Sequence, residues 1–157
     1  MEIKITYGVG EASTKLAAFD KALFDAGIGN YNLIKLSSII PKRAKIKLGK
    51  IKYNQKEYGY KLYVVLSKCI ETKPKKEAWA GLGWVQDQIG RGLFVEIEGS
   101  SEEEVKNLIN KSLKSMEEYR SEKYGKINHK IVGIKCKNKP VCALVCAIFK
   151  SEGWKHG

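Results

Sequence analysis

The sequence has few of the residues that bind metals or form catalytic triads, with two histidines and four cysteines in 157 residues. His129 and His156 lie far apart and in no motif that would supply a Ser-His-Asp triad. No CxxC pair occurs, and Cys142 and Cys146 lie in the apolar run PVCALVCAIF, a pattern typical of buried neutral thiols rather than metal ligands. We therefore expect no metal site, and free thiols that suit a reducing compartment.

Long apolar runs and phosphate-binding loops are also missing. No run approaches the roughly 20 apolar residues needed to cross a bilayer. The first residues, MEIKITYGVG, predict a strand and not a signal peptide. The stretch GVGEAS lacks the third glycine of the dinucleotide fingerprint, and Walker spacing is absent. We expect a cytoplasmic protein with no membrane partner and no nucleotide loop.

Acidic residues are outnumbered, with 29 Lys+Arg against 17 Asp+Glu and a formal net charge of +12. Because cationic side chains neutralise phosphates, a non-catalytic, basic nucleic-acid-binding module is one alternative. The only arginines are Arg43, Arg91 and Arg120, and arginine is the side chain that best reads bases and forks onto phosphates. The lysines are spread along the chain, which favours a solvated basic surface over a nucleic-acid interface.

Helices are predicted from three segments. The first begins after Ser13 or Thr14 and ends at Gly27. Its expected inward residues are Leu16, Phe19, Ala22, Leu23 and Ala26. A second covers 73–89, where Pro74 suits a first turn. The third begins at Ser101, with a capping box to Glu104, and its expected inward residues are Val105, Leu108, Ile109 and Met116.

Strand patterns are more numerous than helix patterns. They are predicted over 2–9, 60–70, 92–99, 130–136 and 141–149, and a lysine-rich, hairpin-like stretch extends to residue 57. No linker or repeat interrupts the chain, so we expect a single domain over 1–157. Sheet layers covered by helices, an α+β architecture, are the natural arrangement.

A further strand pattern, NLIKLSSIIPK at 32–42, is interrupted by Ser37 and Ser38. Small hydroxyl side chains inside an apolar strand pack poorly and require hydrogen bonds. With Asn32 just upstream and Asp20 on the first predicted helix, these serines are candidates for chemistry.

Glu96 is another candidate, because it lies between two apolar residues in the predicted strand GLFVEIEG. Burial there would favour the protonated carboxyl, which could then act as a proton donor. Glu98 lies on the same face by the two-residue period, so the sequence alone does not distinguish the two glutamates.

Three segments carry a resemblance to a known family. AAFDKALFDAGIGNYNLIKLSSIIP, at 17–41, resembles the signature region of the pyruvoyl-dependent arginine decarboxylases. AWAGLGWVQDQIGRGLFVEIEG, at 78–99, is similar to their Gly-Trp helix and following strand, and KPVCALVCAIF, at 139–149, to their last strand. The resemblance runs in order through nearly the whole chain and is weakest over about 42–57. It implies a four-layer α/β/β/α sandwich, and a homotrimer with active sites between subunits.

The resemblance also implies self-cleavage between Ser37 and Ser38, into a β chain of 1–37 and an α chain of 38–157. The Ser38 hydroxyl attacks the preceding carbonyl to form an ester, β-elimination leaves dehydroalanine, and hydrolysis leaves a pyruvoyl group. Ser37 then ends in a carboxylate. The covalent pyruvoyl cofactor forms a Schiff base with the substrate, and the adjacent amide carbonyl accepts electrons as CO₂ departs. No separate cofactor-binding loop is expected.

The function implied is decarboxylation of L-arginine to agmatine, a step towards polyamines. At the positions that match the family, Glu96 is the implied proton donor, and Asp20 pairs with the substrate guanidinium. Asn32 and Ser37 would help to position the substrate and the bond to be cut. A pyruvoyl-dependent decarboxylase of another amino acid is an alternative. The intact Ser38 and Glu96 argue against a basic binding module that has lost the chemistry.

Overall fold

Alternating apolar residues in the long strands build two sheets that face one another across a buried core. The computed structural model describes residues 1–155. A five-stranded sheet has the order β2-β5-β9-β1-β4, and a four-stranded sheet has the order β3-β7-β6-β8. The elements are β1 (Glu2–Glu11), α1 (Lys15–Asp25), β2 (Asn32–Lys35), β3 (Ile39–Ile40), β4 (Lys45–Leu48), β5 (Lys61–Glu71), β6 (Glu77–Gln86), β7 (Gly92–Gly99), α2 (Glu102–Glu118), β8 (Asn128–Lys135) and β9 (Val141–Glu152), with a 3-10 turn at Gln55–Glu57.

The buried clusters place the four layers in order. Helix α1 packs on the outer face of the five-stranded sheet, where Ala22 contacts a cluster that includes Val64. Between the sheets, Val65 lies in one cluster with Phe94. Helix α2 covers the outer face of the four-stranded sheet through Ile109. The predicted α+β class, with two sheets and two helices among the described residues, is confirmed.

The local signals for α1 and α2 are largely confirmed. Thr14 accepts a hydrogen bond from the Ala17 N–H at 3.1 Å and caps α1, and Gly27 adopts the positive φ of 85° that lets the chain leave the helix. Ser101 caps α2 by accepting from the Glu104 N–H at 3.2 Å. In a capping box the Glu104 carboxylate would accept from the Ser101 N–H. Here it accepts from Ser100, one residue earlier in the chain.

Two residues that we expected to face inward do not. Leu16 is 76% exposed because the buried row of α1 contains Ala18 and Ala22, which lie on the opposite side of the helix. Leu108 is 39% exposed because it lies to one side of the row that contains Ile109.

The predicted helix over 73–89 is wrong, because residues 77–86 form β6, a central strand of the four-stranded sheet. Alanine, leucine and tryptophan alternate with glycine there, and Leu82 faces the other sheet while Gly83 lies under α2. A Cβ on Gly83 would collide with Ile109. Both faces are buried, so the segment lacks the apolar and polar alternation that identifies a half-buried strand.

The predicted hairpin through residue 57 is also wrong. β4 pairs in parallel with β1, with Glu2 opposite Lys45 and Ile5 opposite Leu48. A parallel pair needs a crossover instead of a tight turn. Here α1, β2 and β3 supply the crossover.

All four cysteines are free, and three of them are buried in the core. Burial raises the pKa of the Cys142 thiol to about 12, so this thiol stays protonated. Among residues 1–155, no cluster of three or more His, Cys, Asp or Glu side chains could hold a metal ion. Neither helix of the described chain is long and apolar enough to cross a membrane.

Candidate active site

The segment with the two serines passes from one sheet to the other, so the single strand expected within 32–42 is wrong. β2 pairs with β5 in the five-stranded sheet, and β3 pairs with β7 in the four-stranded sheet. The Leu36 N–H donates to the Val64 carbonyl at 2.7 Å, and the Ser38 carbonyl accepts from the Phe94 N–H at 2.8 Å. The Ser37–Ser38 peptide bond is therefore held between two anchors, one in each sheet.

The Ser38 side chain has a specific partner across the site. Its hydroxyl donates a hydrogen bond to the Glu96 carboxylate. Ser38 faces Phe94 as an extension of the pairing between β3 and β7, and Glu96 follows two residues later on the same face of β7. A hydroxyl and a carboxylate that come from positions 58 residues apart in the chain thus meet because β3 and β7 are neighbours.

Glu96 does not have the buried environment expected from the sequence. Its side chain is exposed in the chain, as is that of Glu98. The reason is that β3 is only two residues long, so β7 has no strand beside it beyond Phe94 on that edge.

The structure separates the two glutamates that the sequence period could not. Glu96 accepts the hydrogen bond from Ser38. Glu98 lies one step further along the strand, near Cys69, where its charge adds to the burial that raises the pKa of that thiol. Glu96 is thus the carboxylate in contact with the serine pair.

Two other predicted site residues, Asp20 and Asn32, make no contact through hydrogen bonds or ion pairs with Ser38 or Glu96 among residues 1–155. Asp20 is exposed on α1, and among residues 1–155 it forms no ion pair or hydrogen bond through its side chain. The Asn32 amide donates to the Gly59 carbonyl at 2.9 Å and helps to fix the start of β2. Ser37 is exposed between the two anchors. A single described chain brings together Ser38 and Glu96 but joins neither of them to Asp20 or Asn32.

Sequence reasoning missed two groups at the site. The Phe94 N–H, which holds the Ser38 carbonyl, is a backbone group and leaves no mark in the sequence. Ser67 is a buried hydroxyl in the apolar strand β5, and it donates to the Ile97 carbonyl at 2.8 Å, beside Glu96. A lone serine in such a strand is the same signal that drew attention to Ser37 and Ser38.

Comparisons with known proteins identify a family for this chain. The family described as pyruvoyl-dependent arginine decarboxylase (PvlArgDC) matches residues 2–153. This chain belongs to that family.

Three proteins named pyruvoyl-dependent arginine decarboxylase illustrate the range of similarity. One from Thermococcus sibiricus is 32% identical over 141 residues, which are 88% of each chain. One from Halobacterium salinarum is 39% identical over 94 residues, which are 60% of this chain and 58% of the relative, so this chain spans less than two thirds of that relative's length. One from Methanopyrus kandleri is 66% identical over 38 residues, 24% of this chain and 25% of the relative.

Proposed function

We propose that this protein is a pyruvoyl-dependent decarboxylase that converts L-arginine to agmatine and CO₂, a reaction of polyamine biosynthesis. One observation carries the proposal: the Ser38 hydroxyl donates to Glu96, while the Ser38 carbonyl is fixed by the Phe94 N–H. A serine whose hydroxyl and carbonyl are both held, next to an exposed peptide bond between two sheets, suits a self-cleaving site. The family and the names of the relatives point to the same chemistry.

In this proposal the chain first cuts itself between Ser37 and Ser38. The Ser38 oxygen bonds to the Ser37 carbonyl carbon as the C–N bond breaks, and the Glu96 carboxylate is placed to accept the hydroxyl proton. In the β-elimination that follows, the Cα of residue 38 loses its proton, the Cβ–O bond of the ester breaks, and the oxygen departs with Ser37 as a carboxylate. Hydrolysis of the remaining dehydroalanine releases ammonia and leaves a pyruvoyl group at position 38.

The residues around position 38 fit such a group. When formed, the pyruvoyl group supplies an electron sink for the loss of CO₂. The Phe94 N–H would polarise the carbonyl next to the keto group, and a donor fixed at the position where charge develops is an effective electrostatic aid. Glu96 would return a proton to the substrate carbon. Because its carboxyl is exposed in one chain, this role requires the site to be covered when substrate is bound.

We further propose that Asp20 pairs with the substrate guanidinium, with Asn32 and Ser37 lining the substrate site. The Asp20 carboxylate has no ion-pair partner within residues 1–155 and is therefore free for a cationic ligand. It lies on the helix outside the five-stranded sheet, whereas Ser38 is held by the four-stranded sheet. A homotrimer with sites between subunits is our proposal for how these residues meet. We propose a cytoplasmic location, which suits the four free thiols.

The test is the intact mass of purified protein. We expect fragments that correspond to 1–37 and 38–157, the larger with a blocked N-terminus. Ser38→Ala should remain one chain and show no decarboxylation, because no hydroxyl is available to form the ester. A wild-type chain that releases CO₂ from arginine while remaining uncut would contradict the proposal.

A further inference from the structure

The strands on either side of the serine pair are joined by side-chain hydrogen bonds at a regular spacing. Ser67 on β5 donates to the Ile97 carbonyl on β7 at 2.8 Å. Two residues further along both strands, the Cys69 thiol lies 3.6 Å from the Gly99 carbonyl oxygen. In each pair the two residues are 30 positions apart in the sequence. β5 and β7 thus run past each other in the same direction where the two sheets meet.

The Ser37–Ser38 segment links the same two strands, at positions that precede Ser67 on β5 and Ile97 on β7. Val64 accepts from the Leu36 N–H, and Phe94 donates to the Ser38 carbonyl. Val64 and Phe94 are separated by the same 30 positions as the two side-chain pairs. The peptide bond between Ser37 and Ser38 therefore spans the same gap between β5 and β7 that Ser67 crosses three residues further along.

Ser67 is well placed to fix the width of this gap. It is 3% exposed, and a buried hydroxyl that loses its acceptor is costly. Its acceptor, the Ile97 carbonyl, lies on the residue directly after Glu96. The sulfur of Cys69 is a weak donor and lies farther from its acceptor. Of the two links, the one from Ser67 is the stronger and the nearer to Ser38.

We propose that Ser67 is a positioning residue for self-cleavage, an inference that rests on the proposed function. By tying β5 to β7, it sets the separation of the two anchors that hold the Ser37–Ser38 bond. It also fixes the part of β7 from which Glu96 reaches the Ser38 hydroxyl. Loss of the link lets the two sheets shift, so that the hydroxyl leaves the position from which it attacks the Ser37 carbonyl.

The chain offers a matched control. Thr6 is the other buried polar side chain among the described residues, and its hydroxyl donates to the Ala26 carbonyl at 2.6 Å, on the α1 side of the five-stranded sheet. Thr6→Val removes a buried hydroxyl far from the gap, and Ser67→Ala removes one within it. Cys69→Ala removes the weaker link, and Ser67→Cys keeps a donor of similar size.

The experiment follows cleavage of the full chain, made by cell-free synthesis, as the intact mass changes with time. Each variant is measured at the same interval below its own thermal midpoint, so that differences in stability are removed. Because a displacement of about 1 Å can cost about 100-fold in rate, we expect Ser67→Ala to cleave at least about 10-fold more slowly than wild type. Thr6→Val and Cys69→Ala should cleave at the wild-type rate, and Ser67→Cys at an intermediate rate.

Two results overturn the inference alone: cleavage of Ser67→Ala at the wild-type rate, or equal slowing by Thr6→Val. If Ser67→Ala does not fold, the comparison rests on Ser67→Cys, and a wild-type rate for that variant overturns the inference. A wild-type chain that never cleaves overturns the proposed function itself, and this inference with it.

Discussion

Two segments of this chain that contain apolar residues differ in how far they are buried. Residues 141–148, in β9, are all buried, because β9 lies between β5 and β1 and is covered on one face by α1 and on the other by the four-stranded sheet. Residues 32–40 include five apolar residues, yet only Ile40 is fully buried, and Ile34 and Ile39 are 36% and 55% exposed. The sequence predicts a strand for both segments.

The difference teaches that an apolar pattern predicts burial only when strand pairing is available on both edges. β9 has a long partner on each side, with pairings that extend along most of its length. The 32–40 segment divides its pairing between two sheets and leaves the Ser37–Ser38 bond exposed between them. In this protein the segment that packs less well is the one that carries the candidate chemistry.

The largest expected effect concerns the contact that the exposed segment makes with Glu96. Glu96→Gln keeps the shape of the side chain but removes the transferable proton, so turnover of arginine by cleaved protein should fall by a factor of about 10² to 10⁴. Glu98→Gln is the matched control, on the same face of the same strand. The measurement is CO₂ release under saturating arginine. Normal turnover by Glu96→Gln with a crippled Glu98→Gln would show that the hydrogen bond to Ser38 marks the wrong glutamate.

The second prediction compares the two segments directly. Leu144→Ala, in β9, should lower the free energy of unfolding by about 2 to 5 kcal/mol, because it leaves a cavity in a closed core. Ile34→Ala should change the free energy of unfolding of the dissociated chain by no more than about 0.5 kcal/mol, because its side chain is partly exposed. Urea unfolding at low protein concentration measures both. Equal losses would mean that the exposed segment is as well packed as β9.

A smaller effect is expected from Asp20→Asn, which alters substrate choice and not the self-cleavage. A carboxylate that pairs with a guanidinium should favour arginine over uncharged citrulline by about 10² or more, because citrulline leaves the charge unpaired. The variant should lose most of this preference and still cleave at Ser37–Ser38. Glu103→Gln, which removes an exposed carboxylate from α2, is the control. If wild-type protein turns over another amino acid and not arginine, the substrate assignment is wrong while the pyruvoyl chemistry stands.

The smallest effect concerns the far end of β9. Hydrogen bonds from Lys61, Lys150 and Tyr63 hold the pKa of Glu152 at about 2, below its ordinary 4.5. A lowered pKa stabilises the fold above the ordinary value and ceases to do so as the pH falls towards 2. The Glu152 side chain is 41% exposed, so solvent screens its charge and the effect is small. The thermal midpoint of wild type should exceed that of Glu152→Gln at pH 6, and the difference should shrink between pH 4.5 and 2. If the difference in thermal midpoint stayed constant over this pH range, the ionised carboxylate would contribute nothing to stability.

The sequence predicted the features that depend on neighbours along the chain. Thr14, Gly27 and Ser101 mark helix ends through local hydrogen bonds and backbone angles, and each acts as expected. Ser37 and Ser38 were flagged because hydroxyl groups in an apolar run need partners, and Ser38 has them. Such signals need no knowledge of the rest of the fold.

Features that depend on distant partners could not be predicted. The two-residue period of a strand places Glu96 and Glu98 on one face, and only the position of β3 beside β7 selects Glu96. The β6 segment was mistaken for a helix because both of its faces are buried. One face is covered by α2, which packs over the glycines and comes later in the chain, so local sequence does not reveal it. The exposure of Glu96 likewise follows from the shortness of β3, which a pattern of residue types does not reveal.

The order of strands in the larger sheet has a consequence for a cut chain. Residues 1–37 supply β1, α1 and β2, and β1 lies inside the sheet, between β9 and β4. Cleavage would turn the protein into a complex of two polypeptides. The shorter one would supply an interior strand, β1, with strands of the longer one on both sides. It cannot dissociate without opening both flanking strands, so the mature protein should be kinetically trapped in its folded form. Once unfolded, the two pieces would have to find each other again, so recovery should be second order in protein, whereas the uncut Ser38→Ala chain should refold at a rate independent of dilution.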